Sequence, residues 1–194
     1  MKRYLPQVAL LLFALQVLLM LVSWLWSAAF PMSGVHSLLS EEGIRWFMGH
    51  FADFLAKPQL VWVILLGLAY GTLVPCVRSH HQLKSYRERW ALLMTVALLV
   101  VFLVAIAMLT LIPHAILLSA TGSLWPSPFS SSLVPLVAFM TITLSAFYGF
   151  VAGRFAHLHD LYQALLDGVR AAAPLLLFYI LLVQLWESLR YVIS

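Results

Sequence analysis

Five runs of the chain read as continuous apolar stretches: residues 7–30, 58–77, 90–112, 133–153 and 172–193. The first four contain no Asp, Glu, Lys, Arg or His, and the fifth carries Glu187 and Arg190 near its end. A helix rising 1.5 Å per residue needs ~20 apolar residues to cross ~30 Å of hydrocarbon, so each run predicts a membrane-spanning helix. Two further segments show a helical stripe. After Ser40, a candidate N-cap, Glu41 and Glu42 fall in a first turn, where carboxylates meet the positive end of the helix dipole. Ile44, Phe47, Met48, Phe51 and Leu55 then recur at three- and four-residue spacing. A helix over residues 41–56 is too short and too charged to span, and is expected in the outer interface. Over residues 154–170, Phe155, Leu158, Leu161, Tyr162, Leu165, Leu166 and Val169 make a stripe beside Asp160, Asp167 and Arg170. This predicts a cytoplasmic amphipathic helix, which Pro174 should separate from the fifth span.

The expected fold is therefore an all-α integral membrane protein, one membrane domain over residues 1–194. It has about five transmembrane helices plus one outer interfacial helix and one cytoplasmic amphipathic helix. Composition agrees: 63% of residues are hydrophobic and 9% charged, with a mean hydropathy of +0.99, against roughly 25% charged in soluble chains. Lys2 and Arg3 before the first run, and Ser27-Ala28-Ala29 near its end, also resemble a signal peptide. The run exceeds the usual ~7–15 apolar residues of such a peptide, so a retained span is expected. The single cysteine, Cys76, excludes an intramolecular disulfide framework and a Cys-based metal cage.

The formal charge of +4 lies in the connections, and no soluble basic surface for nucleic acid is expected. With the N-terminus inside, Lys2, Arg3, Arg78, Lys84, Arg87, Arg89, Arg154 and Arg170 face the cytoplasm, and Arg45, Lys57 and Arg190 face outward. Eight against three follows the positive-inside rule, and the loop from Pro113 to Ser132 carries no charge.

Candidate chemistry is sparse. His157, His159 and Asp160, with His80-His81 on the same predicted side, suggest metal binding, but positions two apart on a helix diverge by ~200°. Solvated interfacial histidines are expected. The serines of SPSPFSSS have no base nearby in sequence and read as a turn, so neither catalysis nor a cofactor is expected. The seven tryptophans, Trp24, Trp26, Trp46, Trp62, Trp90, Trp125 and Trp186, fall mostly near span ends, as an aromatic belt requires; a platform for an aromatic substrate would use the same residues.

Gln16 and Gln184 lie about ten residues after Pro6 and Pro174, hence ~15 Å deep, where an unpartnered amide is costly. Each is expected to bond to another helix or to backbone. Glu187 and Arg190, three apart, share a face and predict an interfacial ion pair, with a substrate-carboxylate site at Arg190 as the alternative. Gln16, Gln184, Glu187 and Arg190 are the candidate polar contacts or substrate path, which Thr141, Thr143 and Ser145 could extend in an assembly of several copies.

Two stretches carry a family resemblance. SLLSEEGIRWFMG at 37–49, followed by VWVILLGLAYG at 61–71, resembles the early part of the aminobenzoyl-glutamate (AbgT) transporter family. Residues 121–186 resemble its later region: the TGS loop, the SPF turn, a span ending in Tyr-Gly, a cytoplasmic helix, and a Pro-led span bearing a Gln. The resemblance implies a multi-pass protein of the bacterial inner membrane, N-terminus cytoplasmic, handling aminobenzoyl-glutamate-like or antimetabolite substrates. Family members are longer and resemble hairpin-containing secondary transporters that assemble as dimers. Here only Arg78–Arg89 joins the second and third spans and the sequence runs to Ser194, so no counterparts of the family's hairpin carboxylates and asparagines are expected within it. Past the Gln-bearing span, Arg190 and Tyr191 stand where the family tends to have Asn-Trp. The expected partners are the lipid bilayer and either further copies of the chain or a second membrane subunit. The alternative is a non-transporting scaffold or accessory subunit.

Overall fold

The computed structural model describes residues 4–30, 32, 34–78, 86–111 and 128–193. Within these lie six helices: α1 (Leu5–Ala29), α2 (Glu41–Leu55), α3 (Pro58–Arg78), α4 (Tyr86–Leu111), α5 (Pro128–Ala152) and α6 (Leu158–Ile193). All but α2 are long and apolar enough to cross a membrane. The protein is an all-α membrane protein. Its residues form two compact units, one of Met1–Val61 with Ala173–Ser194 and one of Trp62–Ala172.

In the first unit, α1 meets the C-terminal half of α6 where Gln16 bonds Ser188, and Ser23 of α1 and Ser188 of α6 are buried. Ser23 Oγ also accepts from the Leu38 backbone N–H at 3.3 Å, tying the connection before α2 to α1. The helix α2 starts where its cap predicts: Ser40 Oγ accepts from Gly43 N–H at 3.1 Å, and Glu41 and Glu42 fill the first turn. Ile44, Met48 and Phe51 of its apolar stripe are exposed. The side facing the protein is aromatic instead, with Trp46 stacked on Tyr191 of α6, ring centroids 4.1 Å apart, and tilted against Phe54.

In the second unit, α4 packs on α5, and α3 meets the N-terminal part of α6 at its smallest residues. A Cβ on Gly67 would sit 2.7 Å from Ala172 Cβ, and one on Gly71 would sit 2.6 Å from Gly168 backbone and overlap the Ala164 carbonyl oxygen. Small residues at four-residue spacing allow such backbone approach between helices in lipid, where no hydrophobic force drives association and van der Waals contact must. The stripe of larger residues expected over 154–170 is only half-buried at Leu161, Leu165 and Leu166, and Leu158 and Tyr162 are exposed; the buried face is Ala164, Gly168 and Ala172.

Two expectations for this region change. The helix expected from residue 154 begins at Leu158, because Gly153, at φ +78°, ends α5 in a left-handed turn. The Asp160 carboxylate accepts from the Ala156 and His157 N–H groups at 2.8 and 3.0 Å and caps the new helix. At ~1.5 Å per residue, α6 outreaches ~30 Å of hydrocarbon, which leaves these first turns outside the apolar layer. There the His157 and Ala156 N–H groups hold the Asp160 carboxyl below the usual carboxylate range. Second, Pro174 does not separate a cytoplasmic helix from a span: α6 runs through it without a break. Proline removes one N–H from the ladder, a loss that helices in membranes tolerate when neighbours re-satisfy the freed carbonyl.

Candidate functional site

The four residues singled out by sequence all fall in the first unit, and the structure brings them together only in part. Gln16 of α1 is buried and donates from Nε2 to Ser188 Oγ of α6 at 2.8 Å, the interhelical bond its depth demands. Gln184 is half-buried and makes no such bond among the described residues. Glu187 pairs with Lys57, just before α3, rather than with Arg190. Three-residue spacing puts Glu187 and Arg190 on one side of α6, but the turn before α3 delivers a nearer cation. Arg190 is exposed beside a shallow groove with Trp186, Leu189 and Ile193. Sequence reasoning missed Ser188, one turn beyond Gln184, and Tyr191, whose ring meets both Trp46 and His36.

A second candidate lies in the other unit, where α3, α4 and α5 line a cavity of about 420 Å³. Leu73, Val77, Leu92 and Leu144 line it together with Cys76, Thr95, Thr141, Ser145 and Tyr148, and the surface these residues turn to it is almost wholly apolar. Most of their polar hydrogens are committed to protein. Thr95 donates to the Ala91 carbonyl at 2.7 Å, Thr141 to Val137 at 2.8 Å, and the Cys76 thiol to the Ser145 carbonyl at 3.3 Å. Ser145 Oγ lies 2.8 Å from Thr72 Oγ1, a buried hydroxyl pair linking α5 to α3. Tyr148 differs: it is 6% exposed, and its hydroxyl has no hydrogen-bond partner among the described residues.

Below the cavity, the end of α5 is held from several sides. Gly153 N–H bonds the Phe150 carbonyl at 3.2 Å, Arg154 N–H bonds the Gly149 carbonyl at 2.7 Å, and Arg87 Nε donates to the Val151 carbonyl at 2.7 Å. Phe155 folds its ring over Gly149, where a Cβ would collide with it. Arg154 pairs with Glu88 in the first turn of α4, and Glu88 is 8% exposed. The Tyr-Gly that ends the span is thus a buried cavity wall followed by the one residue that admits Phe155.

The remaining sequence candidates stand apart from both places. Thr143 bonds its own helix at Phe139. His157 and His159 are exposed, and Asp160 is engaged by backbone as described. Trp24, Trp26, Trp90 and Trp186 are exposed in the manner of a belt, Trp62 is half-buried, and Trp46 is engaged by Tyr191. Lys2, Arg3, His80, His81, Lys84, Trp125, the TGS loop and most of the loop from Pro113 to Ser132 lie outside the described residues.

Among the described residues, five apolar helices of spanning length define a multi-pass helical membrane protein. Residues 76–191 match the family described as AbgT putative transporter family, and since this is more than half of the chain, the protein belongs to that family. The match includes the later block, 121–186, that carries the resemblance, and the cavity residues from Cys76 onward; the EGIRWF segment lies before it. Comparison with curated proteins and with solved structures gave no match.

Proposed function

We propose that the chain supplies framework helices of an AbgT-type transporter that moves aminobenzoyl-glutamate-like, aromatic amide or antimetabolite substrates, together with further copies of itself or a second membrane subunit. The observation that carries this reading is what the polar side chains within the apolar helices do: Gln16 holds Ser188, and Ser145 holds Thr72. Such groups fasten helices to one another. A carrier also needs polar ligands near the midplane to replace the water lost by an ion or a polar solute. The rival reading, a non-transporting scaffold or accessory subunit, is favoured by the first four apolar runs, which contain no ionisable side chain. The purified protein alone, in liposomes with a proton or sodium gradient, is expected not to concentrate aminobenzoyl-glutamate or a sulfonamide, because one chain offers no ionisable ligand within its first four apolar runs. Gradient-dependent uptake above empty liposomes, lost when the gradient is collapsed, would overturn that expectation and favour a transporter assembled from copies of this chain over the scaffold. Restoration of uptake by a co-reconstituted second membrane subunit would decide for the transporter framework over the scaffold.

The charge asymmetry of the loops supports an inner-membrane orientation with the N-terminus and the 78–89 loop in the cytoplasm. In a Cys76→Ala background, a cysteine at Ser127 should react with an impermeant thiol reagent added outside intact cells, and one at Ser85 should not. The reverse pattern would invert the topology.

A further inference from the structure

From the groove that α1 and α6 share, we propose a site for an anionic phospholipid, with one acyl chain along the groove and the phosphate at Arg190. Leu15, Leu18, Leu19 and Val22 of α1 and Leu185 and Leu189 of α6 line a space of about 200 Å³, and the surface they turn to it is wholly apolar. Leu189 also lines a second hollow, of about 330 Å³, with Trp186, Arg190 and Ile193. The two make one path from the middle of α1 to the last turn of α6. Arg190 lies eighteen residues after Ala172, where the apolar run begins, hence ~27 Å along α6 and close to the edge of a ~30 Å hydrocarbon layer. At that depth a long cationic side chain lays its stem on apolar surface and carries its charge to the headgroups. Arg190 fits this: it is exposed, adds almost no polar surface to the hollow, and enters no ion pair among the described residues. Glu187, on the same side of α6, is held by Lys57 instead. The negative end of the helix dipole suits a cation in the last turn, but it does not account for an apolar path leading away from that cation. A phospholipid answers both, because its phosphate pairs with the guanidinium while a chain of the same molecule fills the path. Trp186, exposed one turn before Arg190, stands where an indole meets the headgroup level. A free anion leaves the path empty, and a zwitterionic lipid brings a second cation towards Arg190.

The site stands whether or not the chain moves a solute. The probe is a phosphatidylglycerol with a diazirine on one acyl chain, photolysed at trace level with the full-length protein in phosphatidylcholine nanodiscs and mapped by mass spectrometry of peptides. Saturable adducts on residues 15–22 and 185–193 are expected, with α4, whose Val100, Val101 and Val104 are exposed, as the reference for non-saturable bulk-lipid labelling. Replacing part of the phosphatidylcholine by unlabelled phosphatidylglycerol should suppress the groove adducts, with a preference for phosphatidylglycerol over phosphatidylcholine of roughly five-fold, the worth of one basic residue beside anionic lipid. Arg190→Gln should remove that preference, and Arg190→Lys should keep most of it. Arg190 is exposed, so both variants should fold, which thermal unfolding checks. Groove labelling that follows α4 in every lipid mixture, a preference unchanged in Arg190→Gln, or groove residues left unlabelled in a protein that elutes as a dimer would overturn the site. The first two would assign the groove to bulk lipid, and the third to a second copy of the chain.

Discussion

Replacing Gly71 by leucine is expected to abolish the folded, monodisperse protein in detergent. A Cβ at this position would already overlap the Ala164 carbonyl oxygen and come within 2.6 Å of the Gly168 backbone, so what must yield is helix backbone, not a flexible side-chain end. Overpacking a tight interface costs ~1–3 kcal/mol for small insertions, which sets the expectation for Gly71→Ala; a leucine adds three more carbons to the same clash. Gly168→Leu should behave alike, because the Cβ it introduces would meet the Gly67 carbonyl oxygen and the Gly71 backbone from the opposite side. Gly49 provides the internal comparison: it lies within α2, and a Cβ there would meet nothing within 4 Å. Gly49→Ala should therefore stabilise by about 0.5–1 kcal/mol, the helix preference for alanine over glycine. Thermal unfolding followed by size-exclusion chromatography separates the outcomes. A Gly71→Leu protein that elutes and melts like the native one would show that α3 and α6 do not pack at these glycines.

The pattern of apolar runs reveals the number and approximate limits of the spanning helices, because lipid imposes one requirement, ~20 apolar residues, that composition alone can display. It also reveals α2, whose cap at Ser40 is local chemistry. Partners across the chain are less legible. The spacing of Gly67 and Gly71 is plain in GLAYG, and that of Ala164, Gly168 and Ala172 is equally regular, but nothing local says that one series meets the other. Large residues draw attention to the wrong face of α6, since a periodic stripe normally marks the packed side, whereas here the packed side is the one with least side chain. Glu187 shows the same limit for charge. Spacing suggested Arg190, three residues away, and the turn before α3 brought Lys57, 130 residues away in sequence.

The candidate sites were legible to a similar degree. Depth alone marks Gln16 as needing a partner, and Ser188 provides it; the same reasoning applied to Gln184 finds no interhelical bond among the described residues. The cavity was legible only in part: Thr141 and Ser145 stood among the candidate path residues, and Tyr148 belongs to the Tyr-Gly that ends the fourth span. Its walls come from three helices, and nothing local says that Leu73 and Cys76 of α3, or Leu92 and Thr95 of α4, meet them.

Arg154→Ala is expected to destabilise the protein by ~1–3 kcal/mol, the range for leaving a largely buried polar group without its partner, since the pair is part-buried with the arginine side chain 25% and the glutamate 11% exposed. Glu88, 8% exposed, would keep its carboxylate in a site from which water is largely excluded, beside the apolar Cys76, Tyr148 and Phe155 cluster of the second unit, with its counter-charge gone. The loss would spread locally, because Arg154 follows the turn at Gly153 that ends α5 and lets Phe155 cover Gly149. Replacing both partners by apolar residues of similar size, Glu88→Leu with Arg154→Met, should recover most of the loss, since a buried pair exchanged for well-packed apolar groups is often neutral. The single and double variants form a cycle whose interaction energy isolates the pair from the packing it accompanies. If Arg154→Ala unfolds at the native temperature, or the double variant is no better than the worse single one, the pair is a solvated surface contact and the end of α5 is held by the Gly153 turn, Phe155 and the Arg87 bond to Val151.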